Sequence, residues 1–189
     1  MEDIVIGEET VLKHLAKLKV DKSPGLDKLH PRLLVEVRNE IKKPLSILFN
    51  QSINSKSLPN DWKKAQISAI FKKGNKSQAK NYRPVSLTSV ICKTLERIIR
   101  DHLIDHIDKN KLFSDKQYGF IKRSTTLQLL EVLDKWTEAI DDGLEVDCIY
   151  TDFMKAFDKV PHKKLIKQVE NFGITDPILG WIEGFLTGR

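Results

Sequence analysis

Residues 144–162 read LEVDCIYTDFMKAFDKVPH. Val146, Ile149, Tyr150 and Thr151 form a β-rich run, which predicts a buried strand ending at Asp152. A strand that ends on an aspartate presents a carboxylate at a sheet edge, where ions and ligands bind. Six positions on, past a short turn, stands Asp158, with Phe153, Ala156 and Phe157 as a greasy wall between. Two readings are open from the spacing. In one, Asp152 caps the FMKAF turn and Asp158 caps the next helix. In the other, the aspartates belong to an oxygen-ligand site of the kind that suits magnesium, which is held by one or two carboxylates plus substrate phosphates.

Working outward, the rest of the chain is mostly helical in period. Val11, Leu12, Leu15 and Leu18 predict a first helix with Thr10 as N-cap. Pro24 and Gly25 break it. Leu33, Leu34, Val37, Ile41, Leu45, Leu48 and Phe49 predict a longer helix over 31–54, bent at Pro44. Residues 62–71 alternate with period two and read as a strand, and KKGNKSQAKN as a flexible polar tip. Helical period returns over 85–108 and 124–140, the latter opened by Ser124 and Thr125. Asp142-Gly143 is a turn, and two more helices follow over 162–172 and 176–187. The order predicts an α+β fold, helix-rich with an incomplete antiparallel sheet. The strand before Asp152 needs partners, and only the 62–71 region offers any. The sheet looks unfinished, and its exposed edge predicts aggregation.

Composition narrows the class. In 189 residues, a 40% hydrophobic and 31% charged content fits a globular protein. No apolar run is long enough to span a membrane, and the acidic start MEDIVIGEET is not a secretory leader. An intracellular protein, nuclear or cytoplasmic, is expected. Cys92 and Cys148 are far apart in apolar surroundings, so both are expected to pack as small buried residues. The net charge of +6 permits a polyanionic partner. Its distribution says more: from Asp61 to Arg83, Lys63, Lys64, Lys72, Lys73, Lys76, Lys80 and Arg83 face a single acid.

Three further constellations carry possible chemistry. Lysines at the hairpin tip and Arg83 at its base can converge on phosphates, Arg as a bidentate fork and Lys as a point charge. The competing reading is a solvated hairpin with solubilising lysines. His102 and His106 stand at i, i+4, but the Glu of a His-Glu-x-x-His zinc helix is missing, so they read as surface histidines. In QYGFIKRSTT, Gly119 between aromatics marks a close backbone approach, ahead of a helix N-terminus that attracts anions. An ordinary loop and capped helix is the simpler reading.

The blocks SPGLDKLHP, AIFKKGN, NYRPVSLTSVICKTLERII, QYGFIKRSTT and YTDFMKAFDKVPH occur in this order. Together they resemble the successive blocks of the reverse transcriptase of non-LTR (LINE-type) retrotransposons, nearest to the jockey-like group, over about residues 20–189. The resemblance implies the fingers and first part of the palm of a right-hand polymerase. Residues 1–145 would hold the N-terminal helices and fingers, with the basic hairpin at about 62–84, and 146–189 the start of the palm.

It also implies roles, position by position. Asp152 resembles the first catalytic carboxylate, which ligates two Mg2+ ions, and Phe153 the neighbour whose backbone carbonyl faces the second ion. Phe157 resembles the residue that lies under the incoming sugar and rejects a ribose 2′-hydroxyl. Asp158 would be structural support. Arg83 resembles the arginine that grips the triphosphate, helped by Lys72 or Lys73. Gln117, Gly119 and Phe120 resemble the segment lying against the template. The implied partners are an RNA template, a DNA primer and deoxynucleoside triphosphates.

The departure from the family pattern is large. Its Asp-Asp hairpin follows the first aspartate, whereas Asp141-Asp142 here precedes Asp152 and ends a helix. The expectation is a fragment lacking one pole of the metal clamp and inactive alone. The alternative is a non-enzymatic nucleic-acid-binding or interaction protein derived from a retrotransposon remnant.

Overall fold

A computed structural model describes residues 1, 3–121 and 124–187. The described residues form an α+β fold of eight α-helices and two strands: α1 (Glu8–Ala16), α2 (Pro31–Glu36), α3 (Arg38–Asn54), α4 (Asn60–Lys63), β1 (Ala65–Phe71), β2 (Tyr82–Thr88), α5 (Val90–Lys109), α6 (Thr125–Asp141), α7 (His162–Asn171) and α8 (Ile178–Leu186). They divide into two compact units, Met1–His106 with Pro161–Arg189, and Ile107–Val160.

The first unit holds the core. Leu45, Phe49 and Ile53 recur at four-residue spacing on one face of α3 and are buried, as are Val11 and Leu15 of α1. The N-terminal segment is tied to α3 as well as packed on it. Asn50 accepts from the Ile6 N–H and donates to the Ile6 carbonyl, both at 2.9 Å, and Ser46 Oγ donates to the same carbonyl at 2.7 Å. Leu95, Ile98 and Ile99 of α5 and Ile178 and Trp181 of α8 complete the cluster. The Trp181 indole N–H donates to Ser52 Oγ at 3.0 Å, so a buried donor is satisfied.

Several local expectations shift. The first helix starts at Glu8 with Gly7 as N-cap, three residues ahead of Thr10. The 31–54 helix is broken at Val37, whose backbone leaves the helical region (φ −94°, ψ 18°), and α3 then runs on through Pro44. Arg38 Nη1 donates to the Val35 carbonyl at 2.6 Å and satisfies one group that the break exposes. Trp62 belongs to the short α4 and is buried edge-on to Phe49, with ring centroids 6.0 Å apart, so the strand begins at Ala65. Residues 85–88 extend β2, and α5 starts only at Val90, where the buried Ser89 hydroxyl accepts from the Cys92 N–H.

Gly25 explains how the SPG turn lies against that junction. A Cβ at residue 25 would stand 2.7 Å from the Thr88 carbonyl carbon and oxygen and 2.8 Å from Ser89 N. Only glycine permits so close a backbone approach.

The largest correction concerns the stretch before Asp152. Residues 144–153 are not a strand and not buried: Ile149 is 88% exposed and Tyr150 83%. Cys148 is exposed too, whereas Cys92 is buried as expected. A strand owes its stability to a ladder and a covered face. β1 and β2 pair only with each other and lie in the first unit, and no described residue pairs with 146–153. Without a partner, β propensity has nothing to act on.

Candidate functional site

The basic hairpin is antiparallel, with Phe71 opposite Tyr82, Ile70 opposite Arg83 and Ala65 opposite Thr88. Because side chains alternate between faces, Ser68, Val85 and Leu87 share one face with Ile70 and Arg83. Ser68, Val85 and Leu87 are half-buried, while Arg83, toward the free end, is exposed. Ala69, Tyr82 and Pro84 lie on the opposite face.

The tip is cross-linked by its own hydrogen bonds. Lys72 N–H donates to the Asn81 carbonyl at 2.8 Å. The Asn81 amide donates to the Asn75 carbonyl at 2.8 Å, and Asn75 Oδ1 accepts from the Ser77 N–H at 2.8 Å. Tyr82 OH donates to the Lys76 carbonyl at 2.9 Å. Gly74 takes a left-handed φ of 92°, with the Asn81 side chain where a Cβ would fall. The sequence signal for this ordering is Asn two residues ahead of Ser, the pattern of an Asx turn.

No acid lies between Trp62 and Thr88, so nothing local neutralises the cations. Lys72, Lys73, Lys80 and Arg83 are exposed and form no ion pair among the described residues. Lys76 stands over the Phe71 ring at 5.7 Å. The hairpin thus presents uncompensated positive charge on a hydrogen-bonded frame. That suits phosphate binding, and a lysine-solubilised loop would not need the frame.

The second unit carries the remaining candidates. Asp152 and Phe153 lie in an exposed segment without regular secondary structure, and residues 154–159 form a turn with Lys155 at φ 56°. Asp158 is exposed within that turn. The N-cap of α7 is Pro161, so neither aspartate caps it. Phe157 meets Phe120 edge to face, ring centroids 6.1 Å apart. Gln117 Nε2 donates to the Gly119 carbonyl at 3.2 Å. Two residues assigned to different roles, Phe120 and Phe157, are therefore in contact. Gly119 does not mark a close approach among the described residues: apart from its chain neighbours, none of their atoms lies within 4 Å of a Cβ built there, and Phe120 instead takes the left-handed conformation, φ 64°. Ser124 alone caps α6, accepting from the Leu127 N–H at 3.2 Å.

The implied ion pair asks more of the donor set than these residues bring. No three His, Cys, Asp or Glu side chains converge among the described residues. Asp152 brings one carboxylate, and Asp141 and Asp142 finish α6, ahead of Gly143 at φ 71°. Two clamped magnesium ions need several anionic oxygens, so these residues by themselves do not fit the pair. His106, one of the two spaced histidines, pairs with the Phe172 carbonyl at 2.8 Å and is a structural link.

The sequence profile of the reverse transcriptase (RNA-dependent DNA polymerase) family matches residues 70–189, from the end of β1 onward. The chain belongs to this family. The matched segment of this reverse transcriptase chain contains every candidate site residue, from Lys72 to Asp158. Over 186 residues the chain is 29% identical to a probable RNA-directed DNA polymerase from transposon BS of Drosophila melanogaster, covering 97% of this chain and 20% of that protein. It is 31% identical over 160 residues to the RNA-directed DNA polymerase from mobile element jockey of the same organism, covering 84% and 18%. The jockey polymerase of Drosophila funebris is 27% identical over 183 residues, covering 96% and 20%. The reverse transcriptase chain thus spans about a fifth of the length of these relatives. No helix among its described residues is long and apolar enough to cross a membrane.

Proposed function

We propose that the chain is the fingers and first palm segment of the RNA-directed DNA polymerase of a non-LTR, jockey-like retrotransposon. The observation that carries this reading is the ordered basic hairpin inside the family match: exposed, unpaired Lys72, Lys73 and Arg83 on a frame held by Asn75, Asn81 and Tyr82. In this reading Arg83 forks onto the triphosphate, and Lys72 or Lys73 adds a point charge. Fixed positive charge of this kind offsets the charge that develops on the leaving pyrophosphate.

Asp152 would offer one carboxylate to magnesium and Phe153 its backbone carbonyl, a donor set that by itself does not hold the two ions that nucleotidyl transfer uses. Phe157 lies against the sugar, Asp158 supports the turn, and Gln117, Gly119 and Phe120 lie against the template. RNA template, DNA primer and deoxynucleoside triphosphates are the partners, and sequence is read by base pairing.

Since no three His, Cys, Asp or Glu side chains converge among the described residues, the chain is expected to bind primer–template without extending it. The test is primer extension on an RNA template with magnesium, alongside filter binding of an RNA–DNA hybrid over a salt series. Binding that weakens with salt, drops on Arg83→Ala and comes with no extension supports the reading. Extension would overturn the claim of incompleteness, and absence of binding at low salt would overturn the assignment of the hairpin.

A further inference from the structure

The hairpin has two outer edges, and they are not alike. The Lys72 N–H donates to the Asn81 carbonyl, which sets the phase of the ladder. In an antiparallel pair every second residue bonds across to its partner. Gln66, Ser68 and Ile70 therefore face β2, and the backbone groups of Ile67, Ala69 and Phe71 point outward from β1. Pro84, which has no N–H to give, stands opposite Ala69 at an outward position, as that phase requires. The outer edge of β2 is obstructed, because Pro84 removes a donor and the Gly25 backbone lies against the Thr88 carbonyl. The edge of β1 is open. The outward N–H and C=O groups of Ile67, Ala69 and Phe71 have no hydrogen-bond partner among the described residues. Ile67 and Ile70 are 59% and 54% exposed. An edge of this kind accepts a further strand. Its two ends are cationic, with Lys63 and Lys64 before it, the latter 3.6 Å from Asp61, and Lys72 and Lys73 after it.

The same chain carries a strand composition without a sheet. Residues 145–152, EVDCIYTD, hold three acids and no base. Ile149 and Tyr150 face water, and Glu145, Asp147 and Asp152 make no ion pair among the described residues. We propose that the open edge of β1 binds the 145–152 run of a second copy of this chain, two copies exchanging runs reciprocally in a closed dimer. Each element lacks what the other brings. The edge has free backbone donors and acceptors with lysines at both ends, and the run has unpaired backbone with Glu145 and Asp147 at one end and Asp152 at the other. Either strand direction therefore sets acids beside lysines. Pairing of β1 with a second β1 would instead bring like charges together. A nucleic acid could neutralise the lysines but would leave the outward ladder groups unpaired, and an extended peptide backbone satisfies both. Reciprocal exchange is isologous, so it fills both edges and closes. This assignment does not rest on the polymerase reading.

The test uses the full chain in sedimentation velocity over a concentration series, at low and high salt. A monomer–dimer equilibrium that weakens with salt is expected. Hydrogen exchange should slow together at Ile67, Ala69 and Phe71 and over 146–151 as the dimer forms. Cys148 is exposed and Cys92 buried, so a benzophenone maleimide can be placed on Cys148 alone. In a mixture of isotopically light and heavy chains, its cross-links are expected on the 63–73 segment in mixed pairs. Ile67→Pro deletes one outward N–H and leaves the β1–β2 ladder in place. It should weaken the dimer roughly fivefold, the worth of one hydrogen bond. Glu145→Lys with Asp147→Lys should weaken it further, by a factor that shrinks in salt, with thermal melts checking the fold. Should Ile67→Pro unfold the hairpin, the charge-reversed chain decides alone. A monomer at every concentration, a dimer that the charge reversal leaves intact, or cross-links confined to chains of one isotope would each overturn the proposal.

Discussion

Gly25→Ala adds one methyl group at a close backbone crossing in the first unit. The new Cβ would lie 2.7 Å from the Thr88 carbonyl and 2.8 Å from Ser89 N, against 3.4 Å for the onset of ordinary contact, a shortfall of about 0.7 Å. What it meets is backbone, so no side chain can swing away. Ser89 is buried and caps α5, so the junction cannot yield cheaply. Overpacking of this kind costs about 1–3 kcal/mol. Residue 25 does not use a left-handed φ, so alanine also removes unfolded-state entropy, which returns about 0.4–1 kcal/mol. The net is a loss of about 1–2 kcal/mol, or a Tm lower by roughly 2–8 °C for a chain of this size. Urea and thermal melts followed by tryptophan fluorescence would measure it. In a Trp136→Phe background, the buried Trp62 and Trp181 report on the first unit. Gly119→Ala is the control, since nothing lies within 4 Å of its Cβ, and it should melt within about 0.5 kcal/mol of the parent. A Gly25→Ala chain as stable as the parent, with an unchanged urea slope, would refute the close approach.

Other outcomes follow from the same geometry. Phe49→Ala, at a fully buried site against Trp62, is expected to cost about 3–5 kcal/mol in the same melts. The Lys56 ammonium, 2.6 Å from Asp176, holds that carboxyl below its ordinary pKa, and the Gly180 N–H adds to it. A depressed carboxylate contributes stability above its unfolded pKa and loses it as pH falls through the folded value. Asp176→Asn should therefore lower Tm at pH 7, and the difference should vanish in acid below both values. Lys72→Ala with Lys73→Ala should flatten the salt dependence of hybrid binding by roughly one unit for each phosphate no longer neutralised, read as the slope of log affinity against log salt. Leu129 and Leu133 on α6 are 60% and 53% exposed. Glutamate at both should reduce light scattering on concentration while leaving the first unit's melt in place.

Much of the fold was legible because it rests on local period. Val11 and Leu15, then Leu45 and Phe49, recur at helical spacing and are buried, whereas Leu33 and Leu48 of the same predicted helical stretch are exposed, so the spacing marked the helices but not every buried position. The alternating run before Phe71 and the cationic, acid-free segment around it announced a basic hairpin, and both strands formed in antiparallel register. Membership of the reverse transcriptase family was legible as well, because ordered short blocks survive in sequence whatever the chain does in space.

What sequence could not decide were matters of partnership. Residues 146–151 have the composition of a buried strand, yet a strand exists only through a ladder, and no described segment pairs with it; Ile149 and Tyr150 face water instead. Gly119 looked like a point of close approach, but whether backbones meet depends on what arrives from elsewhere in the chain, and among the described glycines such points are Gly25, against Thr88 and Ser89, and Gly184, against the Lys56 carbonyl. The tip read only as a polar loop, and the hydrogen bonds of Asn75, Asn81 and Tyr82 that cross it are not displayed by composition. Sequence by itself determined the helices, the charge and the ancestry, which are local or additive properties. Tertiary structure decided which β-rich run found a partner, which glycines lie against another backbone and which edge of the hairpin is left open, because each depends on groups distant along the chain meeting at van der Waals or hydrogen-bond distance.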